Sequence, residues 1–160
     1  MMNNKKIFLI GFMGVGKTYL GELLANDLET EFYDLDLEIE KKAELPVNEI
    51  FSELGEAKFR EIEAEILQNW NEPGVISTGG GIILDKKNRK FLKNSDNLVI
   101  WLNPSWDVIR SRIANSYRPI VIQRTEGELH QLWGDRNHLY QECADIIFEG
   151  SDVHELMSLM

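Results

Sequence analysis

Cysteine and histidine are scarce in this chain, and each scarcity closes off a class of function. The single cysteine, Cys143, builds no internal disulfide framework and makes no zinc site by itself. The three histidines, His130, His138 and His154, stand at spacings that match no metal-ligand pattern. Repeats, low-complexity tracts and linkers are absent. Long apolar runs are absent too: the most extended, such as Leu98–Leu102, fall far short of a membrane span. The N-terminal MMNNKK runs straight into a strand-like segment, without the apolar core or cleavage site of a secretory leader. The cytoplasm is therefore the expected address, and no membrane partner is expected. Positive charge is also in deficit, with 17 Lys and Arg against 27 Asp and Glu for a net charge of −10. That balance excludes the basic footprint of a non-specific nucleic-acid binder. It also makes the position of each arginine informative, because an anionic ligand must be met by cations gathered against the overall field.

What the chain does have is alternation. At 160 residues, 43% apolar and 28% charged, it has the size and composition of one ordinary globular domain. Apolar strand candidates at Lys6–Ile10, Gly74–Ser77, Asn97–Leu102 and Asp145–Phe148, with a shorter one at Glu31–Tyr33, are separated by helical patterns. The helices are expected at roughly 17–28, 36–43, 46–54, 57–70, 105–115, 125–143 and 152–159. Strands separated by helices imply βαβ units and a parallel sheet covered on both faces, an α/β fold. Ligands of such sheets collect beyond the carboxyl ends of the strands, so the residues following each strand are where chemistry is expected.

The first strand runs into IGFMGVGKT, residues 10–18. Gly11, Gly16, Lys17 and Thr18 satisfy G-x-x-x-x-G-K-[ST], with Gly14 between them. Glycines let successive N–H groups turn toward an anion, the lysine meets β- and γ-phosphates, the threonine hydroxyl suits Mg²⁺, and a helix start adds its positive end. A second strand leads into Asp34-Leu-Asp36. In an extended segment that spacing sets both carboxylates on one side, one to hold a metal and one to take a proton from an attacking hydroxyl. A plainer role is also open, with Asp36 capping the helix that follows. A third strand leads into Gly79-Gly80-Gly81, either a tight turn or a surface that a ligand approaches closely. Arg60 and Glu63 are spaced by three on a helix; on spacing alone a solvated bridge is favoured over an oriented carboxylate clamp. The aperiodic stretch around 115–125 carries Arg118 and Arg124 and suits a lid that closes over nucleotide. Arg110 and Arg112 end the helix before it. No N-K-x-D, no strand-end Walker B aspartate and no H-R-D or D-F-G set occurs, which sets aside GTPase-type base recognition and the protein-kinase pattern.

Taken together, GFMGVGKT at 11–18, FYDLDLEIE at 32–40, EIFSELGEAKFREIE at 49–63, STGGGI at 77–82, YRP at 117–119 and RNHLY at 136–140 resemble the shikimate kinase family across nearly the whole chain. The resemblance implies a three-layer α/β/α sandwich with a five-stranded parallel sheet in order 2-3-1-4-5, the P-loop kinase fold. It implies a single domain over 1–160, with a substrate-binding helical region at about 35–62 and a lid at about 114–125. The implied reaction is ATP-dependent phosphorylation of the shikimate 3-hydroxyl, with Mg²⁺, in aromatic amino-acid biosynthesis. Carried over, Asp36 is the candidate base, and Lys17 and Arg118 are its catalytic partners. Gly14, Val15, Gly16, Lys17, Thr18, Tyr19 and Arg118 bind nucleotide, and Thr18 and Asp34 face the metal. Asp36, Arg60, Gly79, Gly80, Gly81 and Arg136 bind shikimate, with Glu63 orienting Arg60. The family is typically monomeric. Three positions depart from its pattern: Tyr19 replaces a second hydroxyl after the loop, the lid reads Arg118-Pro-Ile-Val, and His138 replaces a proline. A kinase acting on another small hydroxyl compound, and a P-loop protein that only binds nucleotide, are the competing readings.

Overall fold

In the computed structural model, which describes residues 4–160, the carboxyl ends of five parallel strands share one edge of one sheet. The first three residues of the N-terminal stretch lie outside the described residues. The strands are β1 (Lys6–Ile10), β2 (Phe32–Asp34), β3 (Gly74–Ser77), β4 (Asn97–Leu102) and β5 (Ile146–Phe148), in the order β2-β3-β1-β4-β5. Strand β1 is central. Phe8 pairs with Ile76 on one side and with Val99 on the other, and all three are fully buried, as a sheet covered on both faces requires.

Helices follow from the right-handed crossovers that parallel strands demand. Helix α1 (Lys17–Asp27) packs against β1 and β3 beside α9 (Val153–Ser158). Helix α5 (Lys86–Leu92) packs between α4 (Glu56–Gln68) and the long α8 (Glu126–Cys143), and α5 and α8 pack on β4. Between β4 and α8 lie α6 (Trp106–Ile113) and the single-turn α7 (Pro119–Ile122). The residues joining β2 to α4 form α2 (Leu35–Ala43), then α3 (Val47–Glu49), which continues into a π-helical turn at Ile50–Leu54. These helices bury a small core of their own, Ile39, Ile50, Phe59 and Ile62, apart from the main core under the sheet.

The helix starts are chemically marked. Asp34 accepts from Asp36 N at 2.9 Å to cap α2, Asp85 caps α5, Ser105 caps α6, and Thr125 with Glu128 closes a capping box on α8. Helix α5 has no counterpart in the expected pattern. Its KKNRKFL shows apolar residues only at its end, and it is held by polar bonds: Asn88 Nδ2 to Ile82 O at 3.0 Å and Arg89 Nη1 to Ile83 O at 2.7 Å. The expected lid holds α7, started by Pro119 at its first position, where the missing N–H costs nothing. Helix α8 runs unbroken through the exposed His138, so the departure from proline leaves the helix regular.

The end of β3 is tied to β1 by Thr78, which is buried and donates through both N (3.1 Å) and Oγ1 (2.8 Å) to Leu9 O. A Thr78→Val variant keeps the shape and the backbone bond but leaves a methyl in place of the hydroxyl. We expect it to lower unfolding free energy by about 1 kcal/mol in urea titrations; an unchanged midpoint would refute the role given to the hydroxyl.

Candidate active site

A cavity of about 940 Å³ opens where the strands end. Its walls contain Gly14 to Tyr19, Asp34, Asp36, Arg60, Gly79 to Gly81, Arg118 and Arg136, so residues from six separate stretches of sequence converge on one space.

The loop after β1 turns into α1 at Gly16, whose φ of 95° is open to glycine and strained for other residues. Lys17 Nζ donates to two carbonyls of its own loop, Gly11 O at 2.6 Å and Phe12 O at 3.0 Å. Part of the Lys17 surface is exposed, yet the ammonium is closely enclosed by protein. Its burial, and next the Arg118 guanidinium, bring its pKa down to about 7 against the pull of Asp36 and Asp34. Thr18 and Tyr19 lie exposed on the first turn, and the bulky Tyr19 stands at the cavity wall.

The two aspartates are not both in a strand. Asp34 ends β2, while Asp36 stands in the first turn of α2. The capping role left open for Asp36 is filled by Asp34, and Asp36 Oδ1 is buried with no hydrogen-bond partner. Burial and the neighbouring Asp34 raise the Asp36 pKa, opposed by Lys17, Arg118 and Arg60.

Opposite stands Arg60, whose Nη1 donates to Glu63 Oε1 at 2.9 Å and whose Nη2 lies 3.5 Å from Glu56 Oε1. Glu63 is 1% exposed, so the Arg60–Glu63 pair is no solvated bridge. Burial raises the Glu63 pKa despite Arg60, and its second oxygen, Oε2, has no partner. The glycines after β3 leave room for these groups. A Cβ on Gly79 would stand 2.9 Å from Glu63 Oε2 and 3.3 Å from Asp36 Oδ1, and one on Gly81 would overlap the Arg60 guanidinium. Gly80 O accepts from Tyr140 Oη at 2.5 Å, which anchors the triple glycine to α8. Burial carries the Tyr140 hydroxyl up to about 12 in spite of Arg136, so it stays a donor.

Arg136 completes the group. It is 4% exposed, and no carboxylate lies within ion-pairing distance of it among the described residues. Burial lowers its pKa, with Tyr140 opposing and Arg60 adding to the shift. Arg118 occupies the N-cap position of α7 without a side-chain capping bond and is exposed at the cavity mouth. Of the two arginines ending α6, Arg112 reaches the loop, donating to Gly14 O at 3.2 Å. Arg110 instead pairs with Asp107 and Glu126. An apolar wall of Val47, Phe51 and Phe59 was not legible beforehand, because its residues sit at helical spacing and look like ordinary core. No group of three or more acidic, cysteine or histidine side chains suited to a metal occurs among the described residues. No helix among them is long and apolar enough to cross a membrane.

Comparisons with known proteins agree with this geometry. A family model described as shikimate kinase matches residues 13–158. The shikimate kinase of Staphylococcus aureus (strain MSSA476) is 42% identical over 159 aligned residues, taking in 97% of this chain and 89% of its own. The structure of shikimate kinase from Acinetobacter baumannii in complex with shikimate matches with a TM-score of 0.88 at 32% identity, over 99% of this chain and 93% of that one. Deoxyadenosine kinase from M. mycoides matches at a TM-score of 0.57 and 17% identity, over 96% and 95% of the two chains, a likeness of fold alone.

The lowered pKa of Lys17 has a measurable sign. Above pH 7 the Lys17 amine is largely neutral, and an anionic phosphate beside it favours the charged form, so binding draws in a proton. Calorimetry of ADP binding at pH 8, in buffers of different ionisation enthalpy, should show uptake of about one proton, fading below pH 6. Proton-neutral binding at pH 8 would contradict it.

Proposed function

This chain belongs to the shikimate kinase family, and from that premise we propose that it transfers the γ-phosphoryl group of ATP to the 3-hydroxyl of shikimate. One observation carries the reading beyond the family name. Arg136, buried and without an acid partner, stands in the same cavity as Arg60, Asp36 and a phosphate loop. A buried guanidinium left unpaired is costly unless an anion arrives, and a carboxylate accepts a guanidinium fork well. The fold alone does not choose the acceptor, because a nucleoside kinase shares it.

In this reading Arg60 and Arg136 hold the shikimate carboxylate, and Gly79, Gly80 and Gly81 admit the ring close to the backbone. Asp36 accepts the proton of the attacking hydroxyl through its unpaired Oδ1. Its raised pKa, set mainly by burial, makes it a better proton acceptor than a solvated aspartate. Lys17 leaves the loop carbonyls for the β- and γ-phosphates, and Arg118 comes down from the lid to the transferring group, where charge is spread over the phosphoryl oxygens. Gly14, Val15, Gly16, Thr18 and Tyr19 line the nucleotide side. The donors fit magnesium brought in chiefly by phosphates and water: one exposed hydroxyl on Thr18 and one carboxylate on Asp34, with no protein-only cage among the described residues. When bound, the ion neutralises phosphate charge. The same reading takes the chain as one domain and a cytoplasmic monomer, with the helices at about 35–62 forming the acceptor side and the stretch at about 114–125 closing over it.

A coupled ADP-release assay with shikimate, quinate, gluconate and nucleoside monophosphates tests the substrate. Turnover should be greatest with shikimate, and activity confined to another acceptor would sink the proposal. Arg60→Ala should raise the shikimate KM at least about tenfold while changing the nucleotide Kd less than about twofold, since a lost charge-assisted bond is worth about 1.5–3 kcal/mol. Equal loss of both affinities would remove Arg60 from the acceptor side.

A further inference from the structure

The two clamp arginines are held differently. Arg60 has two carboxylates, Glu63 and Glu56, to fix its direction, and it also lies over the Phe59 ring at 5.2 Å. Arg136 has no carboxylate within ion-pairing distance among the described residues, and its buried Nε makes no hydrogen bond. What lies beneath its guanidinium is the ring of Phe12, with Arg136 Cζ 5.8 Å from the ring centroid. Phe12 is the residue after Gly11 in the phosphate loop, is 1% exposed, and does not line the cavity. Its ring is backed by Trp106, with centroids 6.3 Å apart, and its carbonyl accepts from Lys17 Nζ at 3.0 Å.

The geometry points to Phe12 as the positioning residue of Arg136: the electron-rich face of its ring stands in for the missing carboxylate and holds the guanidinium toward the acceptor. An aromatic face attracts a cation without neutralising it. A carboxylate there would compete with the substrate for the same N–H groups, whereas a ring leaves the fork free to bind. The ring is held in place because it is fully buried and backed by Trp106. One loop residue thus touches both halves of the site, its carbonyl the donor side and its ring the acceptor side. The inference rests on reading Arg136 as a ligand of the shikimate carboxylate.

Replacing Phe12 with mono-, di- and trifluorinated phenylalanine weakens the ring's negative face stepwise with little change of shape. The shikimate KM should climb step by step, by roughly three- to thirtyfold across the series, while kcat and the ATP KM stay within about twofold. In an Arg136→Lys background the same series should have a much smaller effect. Phe12→Leu, which keeps an apolar side chain but has no face, should reproduce the top of the series. A flat shikimate KM across the series overturns the inference. So does a parallel rise of the ATP KM and fall of kcat, which would make Phe12 a packing residue only. The guanidinium proton resonances of Arg136, read by NMR without any turnover, should lie upfield in the wild type and move downfield in Phe12→Leu; unmoved resonances also overturn it. A wild-type enzyme inactive with shikimate but showing that resonance shift would sink the kinase proposal while leaving the stacking intact.

Discussion

Leu9 pairs with Ser77 on one side and Ile100 on the other, and its carbonyl takes both donors of Thr78. That three-strand alignment is the constraint on which the site depends. It brings the end of β1 and the end of β3 to one level, so the phosphate loop and the triple glycine emerge side by side. Gly80 then lies close enough to the loop that a Cβ on it would stand 3.4 Å from Met13 N, and Tyr140 fastens the same residue to α8. Arg136, one turn before Tyr140 on that helix, is brought to the cavity wall beside it.

Electrostatics explain why so acidic a chain can hold this group of cations. Lys17 and Arg136 are buried near Arg118 and Arg60, where burial and repulsion disfavour their charged forms, as their lowered pKa values record. Asp36 and Glu63 share the space with their own charged forms disfavoured, mainly by burial. Neither set is fully satisfied, and an orphaned oxygen remains on each carboxylate. A site strained in both signs gains from a ligand that brings anions to the arginines and hydroxyl donors to the carboxylates. Shikimate and a nucleotide triphosphate offer that combination, which is why the arrangement suits phosphoryl transfer by positioning and charge alone.

Much of this was legible in the chain itself, for identifiable reasons. Strands β1, β3 and β4 have the bounds their apolar runs suggest, because a sheet buried on both faces selects continuous Ile, Val and Leu. The phosphate loop, the glycines and the arginines carry short-range patterns that survive without coordinates. Contacts across the chain do not. Helix α5 is stabilised by Asn88 and Arg89 bonding to carbonyls six residues back, which leaves no apolar period to read. Whether Asp34 or Asp36 caps α2 turned on where β2 ends, a matter of one or two residues. Spacing left Arg110 and Arg112 equivalent, and only the packing of α6 against the loop separates them. The Phe12–Arg136 contact joins residues that no local pattern connects.

The sheet's outer strands have a consequence for how the molecule behaves in a crowd. Both β2 and β5 contain only three residues, so each rim of the sheet presents very few unpaired backbone groups. A longer bare rim is a template on which another chain can add a strand, and the exposed Ile147 on β5 would offer it an apolar foothold. Brevity at both rims, together with a surface that repels its own copies through a net charge of −10, sets the protein against strand-by-strand aggregation while its interior remains a continuous β-rich core.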